Sequence, residues 1–244
     1  MSWKTRARAL TGARPFVAPV LDLCRPTRVP ATPEGAGWVH ELKRDGYRMT
    51  VIMRDRMVRL VSRQGRDWTD RLRGIAERVR TLGLRDGQLD GEVIAVDAAG
   101  RDDFNALQRA MHDGEPAPLA FVAFDVMGVA GIDVTAAPLL ERKALLRELV
   151  DGSPVAYSTH LEECGSTVFA EVARAGYEGV VSKRADSPYA GGTSRAWLKS
   201  MARLQDDFVA IGWMAPEGRS HGGLMVARVE DGALAYSGTV AAGV

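Results

Sequence analysis

The sequence lacks several features that would place it in a common class. It has no apolar run near the roughly 20 residues that a membrane-spanning helix needs, and its N-terminus has no apolar signal-peptide core. The formal net charge is only +1, so a site for a polyanion must be a local patch and not a property of the whole chain. Hydrophobic and charged contents of 46% and 26% are those of an ordinary soluble globular protein.

Cysteine is scarce as well. Cys24 and Cys164 lie far apart in the sequence and do not have the spacing of a metal-binding pair. Without a disulfide framework, a reducing cytoplasm is the expected location. The 244 residues are enough to bury a core in one large domain or in two smaller ones.

Lysine is rare although basic residues are common. Of 32 basic side chains only five are lysine, and the rest are arginine. Arginine therefore serves where positive charge alone is needed, and a lysine indicates a position where arginine would not serve. One such role is that of a nucleophile, because an amine can lose its proton whereas a guanidinium group cannot. The five are Lys4, Lys43, Lys143, Lys183 and Lys199.

Lys43 ends a short run of alternating polar and apolar residues. We interpret this run as a strand, followed by a tight turn at Asp45-Gly46 and a second strand that continues to Met53. The alternation of a strand places Val39 and Glu41 on the same face as Lys43. An exposed ion pair is the alternative explanation, since most such pairs contribute little. The concentration of the rare lysines in short motifs favours a chemical role.

The rest of the chain alternates strand and helix patterns. Strands that alternate with helices, together with direct hairpins, predict an α+β domain with a mixed sheet. Residues 1–36 are rich in arginine and proline, which favours an extended basic arm that packs loosely or contacts phosphates. The predicted strands are 58–63, 88–97, 119–126 (central in the sheet) and 178–183. The predicted helices are 72–82 with Thr69 and Asp70 as caps, 104–111, 139–149 with Lys143 on its exposed face, and 166–175.

Several polar side chains lie at the ends of the predicted strands. If the fold brings these ends together, they line one cleft with carboxylates, cations and an aromatic face. Such a cleft suits a nucleoside triphosphate and a divalent metal, because phosphates need cations and the metal needs oxygen ligands. The carboxylates are equally compatible with structural ion pairs. The residues are Lys43, Arg63, Glu92, Asp125, Glu178, Lys183 and Lys199.

Taken in order, the motifs resemble those of the ATP-dependent DNA ligases, and especially the ligase domain of bacterial end-joining ligases. Lys43-Arg44-Asp45-Gly46-Tyr47-Arg48 fits the first family motif, KxDGxR. The other motifs follow at family-like intervals, and the resemblance covers most of residues 38–240. They are Ser62-Arg63-Gln64-Gly65, Asp90-Gly91-Glu92, Phe121 to Asp125 and Glu178 to Lys183.

The resemblance implies an architecture and a chemistry. Residues 37–203 would form an α+β covalent nucleotidyltransferase domain, the ATP-grasp-like adenylation domain of DNA ligases, and residues 204–244 a truncated OB-fold segment. The implied cofactors are ATP and Mg²⁺ or Mn²⁺. Lys43 would be the catalytic nucleophile that attacks the α-phosphate and holds AMP. Glu178 would serve the metal, and Lys183 and Lys199 would balance phosphate charge.

The resemblance also assigns the nucleoside and DNA contacts. Glu41 would read the edge of the adenine ring, and Phe124 would stack on its face. Arg48 and Glu92 would address the ribose or phosphate region. Arg63 would contact the 5′-phosphate of a nick.

Three departures from the family pattern stand out. The second lysine expected two positions after Lys199 is Met201, which should weaken phosphate binding. The segment Gly238 to Gly243 lacks the arginine of its family counterpart, and the sequence stops at Val244, before the remaining OB barrel and the final basic motif. An open partial barrel exposes strand edges, so we expect it to pack on the catalytic domain or to form a homodimer.

The sequence thus leaves more than one function open. The main prediction is an ATP-dependent DNA ligase that seals nicked or broken double-stranded DNA in repair. One alternative is a degenerate ligase fold that binds nucleotide or DNA without ligation, and another is an RNA ligase or a different covalent nucleotidyltransferase. The sequence also leaves open whether a polymerase or an end-binding repair protein works as a partner.

Overall fold

The computed structural model of the protein describes residues 2–55, 57–202, 208–214, 222–230 and 232–241. It divides into two compact units, Met1–Arg203 and Leu204–Val244. Among the described residues, no helix has both the length and the apolar character needed to span a membrane. The helices are α1 (Trp3–Arg8), α2 (Arg73–Arg80), α3 (Phe104–His112), α4 (Leu139–Val150) and α5 (Gly165–Arg174).

The strands form one sheet of seven, one of five and one of three strands within the described residues. Strands β1 to β8 are β1 (Arg14–Pro15), β2 (Cys24–Arg28), β3 (Trp38–Leu42), β4 (Tyr47–Arg54), β5 (Met57–Ser62), β6 (Gly87–Ala95), β7 (Leu119–Val129) and β8 (Ile132–Asp133). Strands β9 to β15 are β9 (Ala156–Tyr157), β10 (His160–Leu161), β11 (Gly179–Arg184), β12 (Gly192–Met201), β13 (Val209–Met214), β14 (Gly223–Glu230) and β15 (Ala233–Ala241).

The seven-stranded sheet holds most of the apolar core. Its order is β1-β8-β7-β6-β4-β5, with β9 paired in parallel to β7. The prediction that β7 is a central strand is confirmed, because it pairs with β6, β8 and β9. Near-continuous apolar strands of this kind are buried on both faces. The core includes Leu60, Leu89 and Phe121 from the strands, and Ile75, Leu107 and Leu146 from the helices.

The five-stranded sheet has the order β10-β3-β11-β12-β2, so β3 and β4 lie in different sheets. The predicted hairpin around Asp45-Gly46 is therefore wrong. The segment between these strands instead carries the chain from one sheet to the other. Gly46 passes so close to β6 that a Cβ atom there would overlap the carbonyl oxygen of Val93. Glycine is needed at this crossing for its lack of a side chain and not for a turn.

The first 36 residues are part of the first unit. The prediction of an extended arm instead of a helix is wrong for the first turn, because α1 forms ahead of the first proline, Pro15. The hydroxyl oxygen of Ser2 accepts a hydrogen bond from the Thr5 amide, which caps this helix, and Ala7 is buried. Further along, β1 pairs with β8 and β2 pairs in parallel with β12.

The predicted helices are confirmed within one or two residues, but two details are wrong. Helix α2 begins after Leu72 without a side-chain cap, because the hydroxyl of Thr69 accepts a hydrogen bond from the Leu60 amide at 3.0 Å instead. Asp70 does not cap this helix either. In α4, Lys143 is fully buried and not on an exposed face.

The second unit contains an antiparallel sheet in the order β13-β14-β15. It confirms the predicted strands near 208–213 and 223–229 and adds β15. Large apolar side chains are exposed on it, with Trp213 at 56% and Tyr236 at 59% of their accessible surface. Ala242 and Gly243 of the segment that lacks the family arginine lie outside the described residues.

Candidate active site

A cavity of about 190 Å³ is lined by residues from both sheets of the first unit. The predicted convergence is found for five of the seven strand-end residues, whereas Glu178 lies next to the cavity through its contact with Lys43 and Asp125 lies elsewhere. A more open hollow of about 680 Å³ lies beside Trp68 and His112 and has no lysine among its lining residues, so the smaller cavity fits the predicted triphosphate site better. Its lining residues are Pro26, Glu41, Leu42, Lys43, Arg44, Arg48, Arg63, Glu92, Phe124, Ser158, Val181, Lys183, Trp197 and Lys199.

Lys43 and Glu178 form an ion pair at this cavity. Antiparallel pairing sets Leu42 of β3 opposite Val180 of β11, and the Lys43 amide donates to the carbonyl of Gly179 at 2.8 Å. This register brings the Lys43 side chain to Glu178, with 2.5 Å between Nζ and Oε2. About a quarter of each side chain is exposed, 23% and 26%. The amine is thus oriented by protein and still reachable from solvent.

Glu178 fits a metal that is shared with a ligand. Among the described residues, no group of three or more histidine, cysteine, aspartate or glutamate side chains could enclose an ion. Mg²⁺ commonly uses one or two carboxylates together with substrate phosphates and water. The carboxyl of Asp45 lies within electrostatic range of Glu178. Burial is the main cause that raises the pKa of Asp45, and the charge of Glu178 raises it further. These carboxylates match that donor set and not an all-protein cage.

Glu92 is held mainly in its neutral form at the cavity wall. Its pKa is raised to about 8 by burial, which outweighs the opposing effect of Lys43 and Arg48. On the neighbouring strand, Arg48 is directly opposite Glu92 in the β4–β6 register. A neutral carboxyl can both donate and accept hydrogen bonds, which suits contact with a ribose hydroxyl.

Arg48 itself is largely committed to protein groups. Its guanidinium binds both carboxylate oxygens of Asp90 at 3.0 and 2.6 Å and donates to the carbonyl of Cys24 at 2.7 Å. The Tyr189 hydroxyl donates to Asp90 at 2.6 Å. Burial opposes the charged form of Arg48, but Asp90 outweighs it, so the pKa of Arg48 is raised.

Glu41 is the centre of a buried cluster. Its side chain is 3% exposed, and Lys143 Nζ and Lys183 Nζ each lie 2.8 Å from Oε1. The Ser158 hydroxyl donates to Oε2 at 2.8 Å. Burial raises the pKa of Glu41, but the two ammonium groups outweigh it and the pKa is lowered overall. Glu41 is therefore a fixed, ionised acceptor.

Aromatic rings surround the buried Lys183. Its Nζ lies 4.6 Å from the ring centre of Phe124 and 4.1 Å from that of Trp197, distances at which a cation is attracted to a ring face. Burial lowers the pKa of Lys183, although Glu41 opposes this effect. The guanidinium carbon of Arg48 is 5.4 Å from the Phe124 ring centre. A purine that stacks on Phe124 would share the ring with these cations.

Asp125 is not in the cavity, so its predicted place there is wrong. It is fully buried, and Arg142 binds both of its oxygens at 2.8 Å. Arg142 also donates to the carbonyls of Ala137 and Ser187. Asp125 is therefore part of a structural ion pair, which was the alternative explanation for the carboxylates.

Arg63 and Lys199, by contrast, line the cavity without an ion-pair partner among the described residues.

Comparison with known proteins decides the family. The family described as "ATP dependent DNA ligase domain" matches residues 24–200. The chain belongs to the ATP-dependent DNA ligase family. The predicted resemblance is thereby confirmed.

The relatives of this ligase domain include large multifunctional proteins. The multifunctional non-homologous end joining protein LigD of Pseudomonas aeruginosa is 36% identical over 219 residues, which is 86% of this chain and 26% of the relative. A LigD from Mycobacterium tuberculosis is 34% identical over 213 residues, 84% and 27% of the two chains. The chain thus spans about a quarter of the length of these relatives.

Solved structures support the same fold. A mycobacterial DNA ligase D complexed with ATP and MES matches with a TM-score of 0.67 and 28% identity, over 93% of this chain and 75% of that chain. The ligase domain of M. tuberculosis LigD matches with a TM-score of 0.64 and 29% identity over the same shares. The predicted adenylation-domain fold is confirmed, and the C-terminal strands are consistent with a partial OB region.

The structure adds site residues that sequence motifs did not indicate. Lys143 and Ser158 bind Glu41, Trp197 contacts Lys183, and Arg44 lines the cavity of the ligase domain. The rarity of lysine was the one signal that pointed to Lys143. Ser158 and Trp197 lie outside the quoted motifs, and Arg44 occupies the variable position of the first motif.

Proposed function

We propose that this chain is the adenylating and strand-sealing part of a bacterial end-joining DNA ligase. The observation that carries the proposal is the position of the Lys43 amine, beside Glu178 and at a cavity lined by residues of two sheets. Membership of the ATP-dependent DNA ligase family and relatives named for non-homologous end joining support it. ATP and broken double-stranded DNA are the proposed substrates.

The reaction begins when Lys43 attacks the α-phosphorus of ATP. A P–N bond forms, the P–O bond to pyrophosphate breaks, and the amine releases a proton to solvent. A DNA 5′-phosphate oxygen then attacks the same phosphorus, the P–N bond breaks, and Lys43 takes up a proton. Finally a 3′-hydroxyl attacks the phosphorus of the activated 5′-phosphate, the P–O bond to AMP breaks, and the hydroxyl proton passes to solvent. AMP leaves and the strand is closed.

The phosphate side of the cavity stabilises the charge that moves in these steps. Lys199 and Arg63 have no ion-pair partner among the described residues, so we assign them to ATP phosphates and to the DNA 5′-phosphate, respectively. Lys183 is bound to Glu41 and acts at the base of the cavity. Glu178 is the residue that would hold Mg²⁺, which would neutralise phosphate charge as pyrophosphate leaves.

The nucleoside side is assigned to the remaining residues. Glu41, as a buried and ionised acceptor, suits the 6-amino group of adenine. Phe124 offers a half-buried ring for stacking. Glu92 can contact a ribose hydroxyl in its neutral form, and Arg48, which is held by Asp90, flanks the Phe124 ring.

Radioactive labelling tests the proposal. The protein is incubated with α-labelled ATP and Mg²⁺ and separated on a denaturing gel, where we expect a labelled band in wild type and in Lys4→Ala but not in Lys43→Ala. A chase with nicked DNA, but not with nicked RNA, should release the label and yield a sealed strand. Labelled protein that discharges only onto RNA would support an RNA ligase instead.

Glu178 is tested by its metal requirement. We expect Glu178→Gln to need a higher Mg²⁺ concentration for half-maximal labelling and to label on the order of 10–100-fold more slowly, because one hard oxygen ligand loses its charge. Labelling rates across a Mg²⁺ titration measure this. An unchanged titration curve would remove Glu178 from the metal site.

A binding module is the second candidate, and Met201 favours it. Met201 lies two residues after Lys199 on β12, where a second ammonium group would share the same strand face. A thioether cannot attract a phosphate electrostatically. Tight ATP binding by wild type without any labelled band would support a protein that binds nucleotide or DNA and does not ligate.

We infer two kinds of protein partner, a second copy of this chain and other repair proteins. The exposed apolar side chains of the three-stranded sheet, such as Trp213 and Tyr236, support a homodimer formed through this segment. Light scattering after size-exclusion chromatography tests this, and a single monomer peak at high concentration would contradict it. The free thiols of Cys24 and Cys164 agree with the expected reducing cytoplasm. Polymerase or end-binding repair proteins remain proposed partners through the multifunctional relatives.

A further inference from the structure

Lys143 is a buried charge that the reaction described above does not use. It is fully buried on α4, and its Nζ donates to Glu41 Oε1 at 2.8 Å and to the carbonyl of Ser158 at 2.9 Å. The same Nζ lies 4.6 Å from the ring centre of Tyr157. An ammonium group has three N–H bonds, and two carry hydrogen bonds while the ring attracts the charge. Lys143 is not among the residues that line the cavity, so any effect on a ligand there must pass through Glu41.

Lys143, Glu41 and Ser158 form a closed set of contacts. The Ser158 hydroxyl donates to Glu41 Oε2, while the Ser158 carbonyl and Glu41 Oε1 both accept from Lys143. Three separate segments of the chain meet here: β3, α4 and the residue after β9. Both oxygens of Glu41 are fixed, and so is its orientation at the cavity wall.

The acceptor capacity of Glu41 is limited but not exhausted. A carboxylate offers about four lone-pair positions. Lys143 and Lys183 use Oε1, and Ser158 uses one position on Oε2. One position remains for an N–H donor from a ligand. The 6-amino group of adenine is such a donor, whereas the 6-oxo group of guanine would place an acceptor against a carboxylate.

We propose that Lys143 is a positioning residue that makes Glu41 select adenine over guanine, by holding its carboxylate fixed and charged. The inference rests on the proposed function, in which Glu41 contacts the base. Lys143 and Lys183 share the Glu41 carboxylate, and Lys183 also lies beside the rings of Phe124 and Trp197.

Charged and titratable groups on several elements face Glu41. Lys143 and Lys183 favour its ionised form, and Tyr157 and His160 lie within electrostatic range of it. Without Lys143, burial acts against a single remaining ammonium group. Glu41 then becomes easier to protonate, and a protonated carboxyl can donate to the 6-oxo group of guanine.

The test compares ATP with GTP as substrates of the Lys143→Met variant. Methionine is an unbranched side chain of similar length to lysine and carries no charge. We expect wild type to label Lys43 much faster with α-labelled ATP than with α-labelled GTP. In Lys143→Met the ATP-to-GTP ratio of kcat/KM should fall on the order of 10–100-fold, because the Glu41 carboxylate is no longer held by Lys143. Lys4→Met is the matched control, since Lys4 is exposed on α1, and its ratio should equal that of wild type.

A double-mutant cycle shows whether Lys143 acts through Glu41. In a Glu41→Gln background the Lys143→Met change should alter the ATP-to-GTP ratio less than about twofold, because contacting residues are not additive. If Lys143 had a purely structural role, Lys143→Met would lower kcat/KM for ATP and for GTP by the same factor in both backgrounds. A folded Lys143→Met protein with the wild-type ratio would overturn the proposal.

Two further measurements cover folding and the proposed function. If Lys143→Met does not fold, Ser158→Ala decides, because it removes one hydrogen bond to Glu41 and should lower the ratio by about 2–5-fold; an unchanged ratio would overturn the proposal. Shifts in melting temperature with ATP and with GTP report binding without chemistry. Selective ATP binding by wild type without labelling would reject the ligase function, and the same binding measurement on Lys143→Met would then test Lys143. Equal binding of both nucleotides by wild type would reject the role of Lys143.

Discussion

The two sheets of the first unit carry different kinds of side chain. The seven-stranded sheet and helices α2, α3 and α4 share one large apolar cluster. The five-stranded sheet packs around a much smaller one, with Trp197 and Tyr189 among its members, and it carries the charged residues Glu41, Lys183 and Lys199. The larger apolar core thus lies with the first sheet and several of the proposed ligand contacts with the second, so we expect changes in the two sheets to have different consequences.

Lys43→Arg should give the largest functional effect. Arginine keeps the charge near Glu178 but cannot act as a nucleophile, so labelling with ATP should fall at least on the order of 1000-fold. The free energy of unfolding should change by less than about 1 kcal/mol, because arginine can still pair with Glu178 and this ion pair is partly exposed. Gel labelling and urea unfolding measure the two quantities. Substantial labelling of Lys43→Arg would contradict the assigned nucleophile.

Asp125→Asn should give the largest loss of stability. It leaves the fully buried Arg142 without its charge partner, and breaking such a pair costs about 3–5 kcal/mol. Urea unfolding measures the loss, and the labelling rate per folded molecule should stay near wild type. A stable protein with lost labelling would return Asp125 to the catalytic residues.

Leu89→Ala compares the sheets directly. Leu89 is fully buried in β6, so truncation should cost about 2–5 kcal/mol. The matched control is Leu161→Ala in β10 of the five-stranded sheet, where the side chain is 45% exposed and the cost should be within about 0.5 kcal/mol. Equal losses in urea unfolding would contradict the division between the sheets.

Glu92 should give a smaller effect that depends on pH. Its pKa is about 8 in the folded protein against 4.5 for the ordinary side chain, so between these values the folded state binds more protons than the unfolded state. Stability should therefore fall as pH rises through this window and should be fully recovered only below it. Urea unfolding in EDTA at about pH 5.5 and 8.5 measures the slope, which Glu92→Gln should flatten. An equal slope in both proteins would refute the shift.

The local elements were predictable from the sequence because they depend on neighbours in the chain. The apolar run of β7 and the helical spacing in α3 and α4 appear in their own residues. The hairpin predicted at Asp45-Gly46 is wrong because a hairpin and a crossing between sheets have the same local signal. The difference lies in the approach of Gly46 to Val93, which the local sequence does not encode.

Lys143 shows a second limit of sequence interpretation. The pattern of α4 suggests that charged residues face solvent, yet Arg142 and Lys143 are its most deeply buried polar side chains. Their partners, Asp125 and Glu41, come from distant strands. The motif residues were identified by resemblance, whereas the residues that hold them were visible only in three dimensions.

The contact between Gly46 and β6 has a consequence for the spacing of the cleft. A methyl group at position 46 would act as a wedge against Val93, Glu92 and Ile94 and would push the strand after Lys43 away from its neighbour. The Lys43 amine, our proposed nucleophile, would then be displaced from Glu92, our proposed ribose contact, without any change in its own chemistry. The absence of a side chain at Gly46 thus sets how closely the strand after Lys43 approaches β6, and with it the width of the cleft.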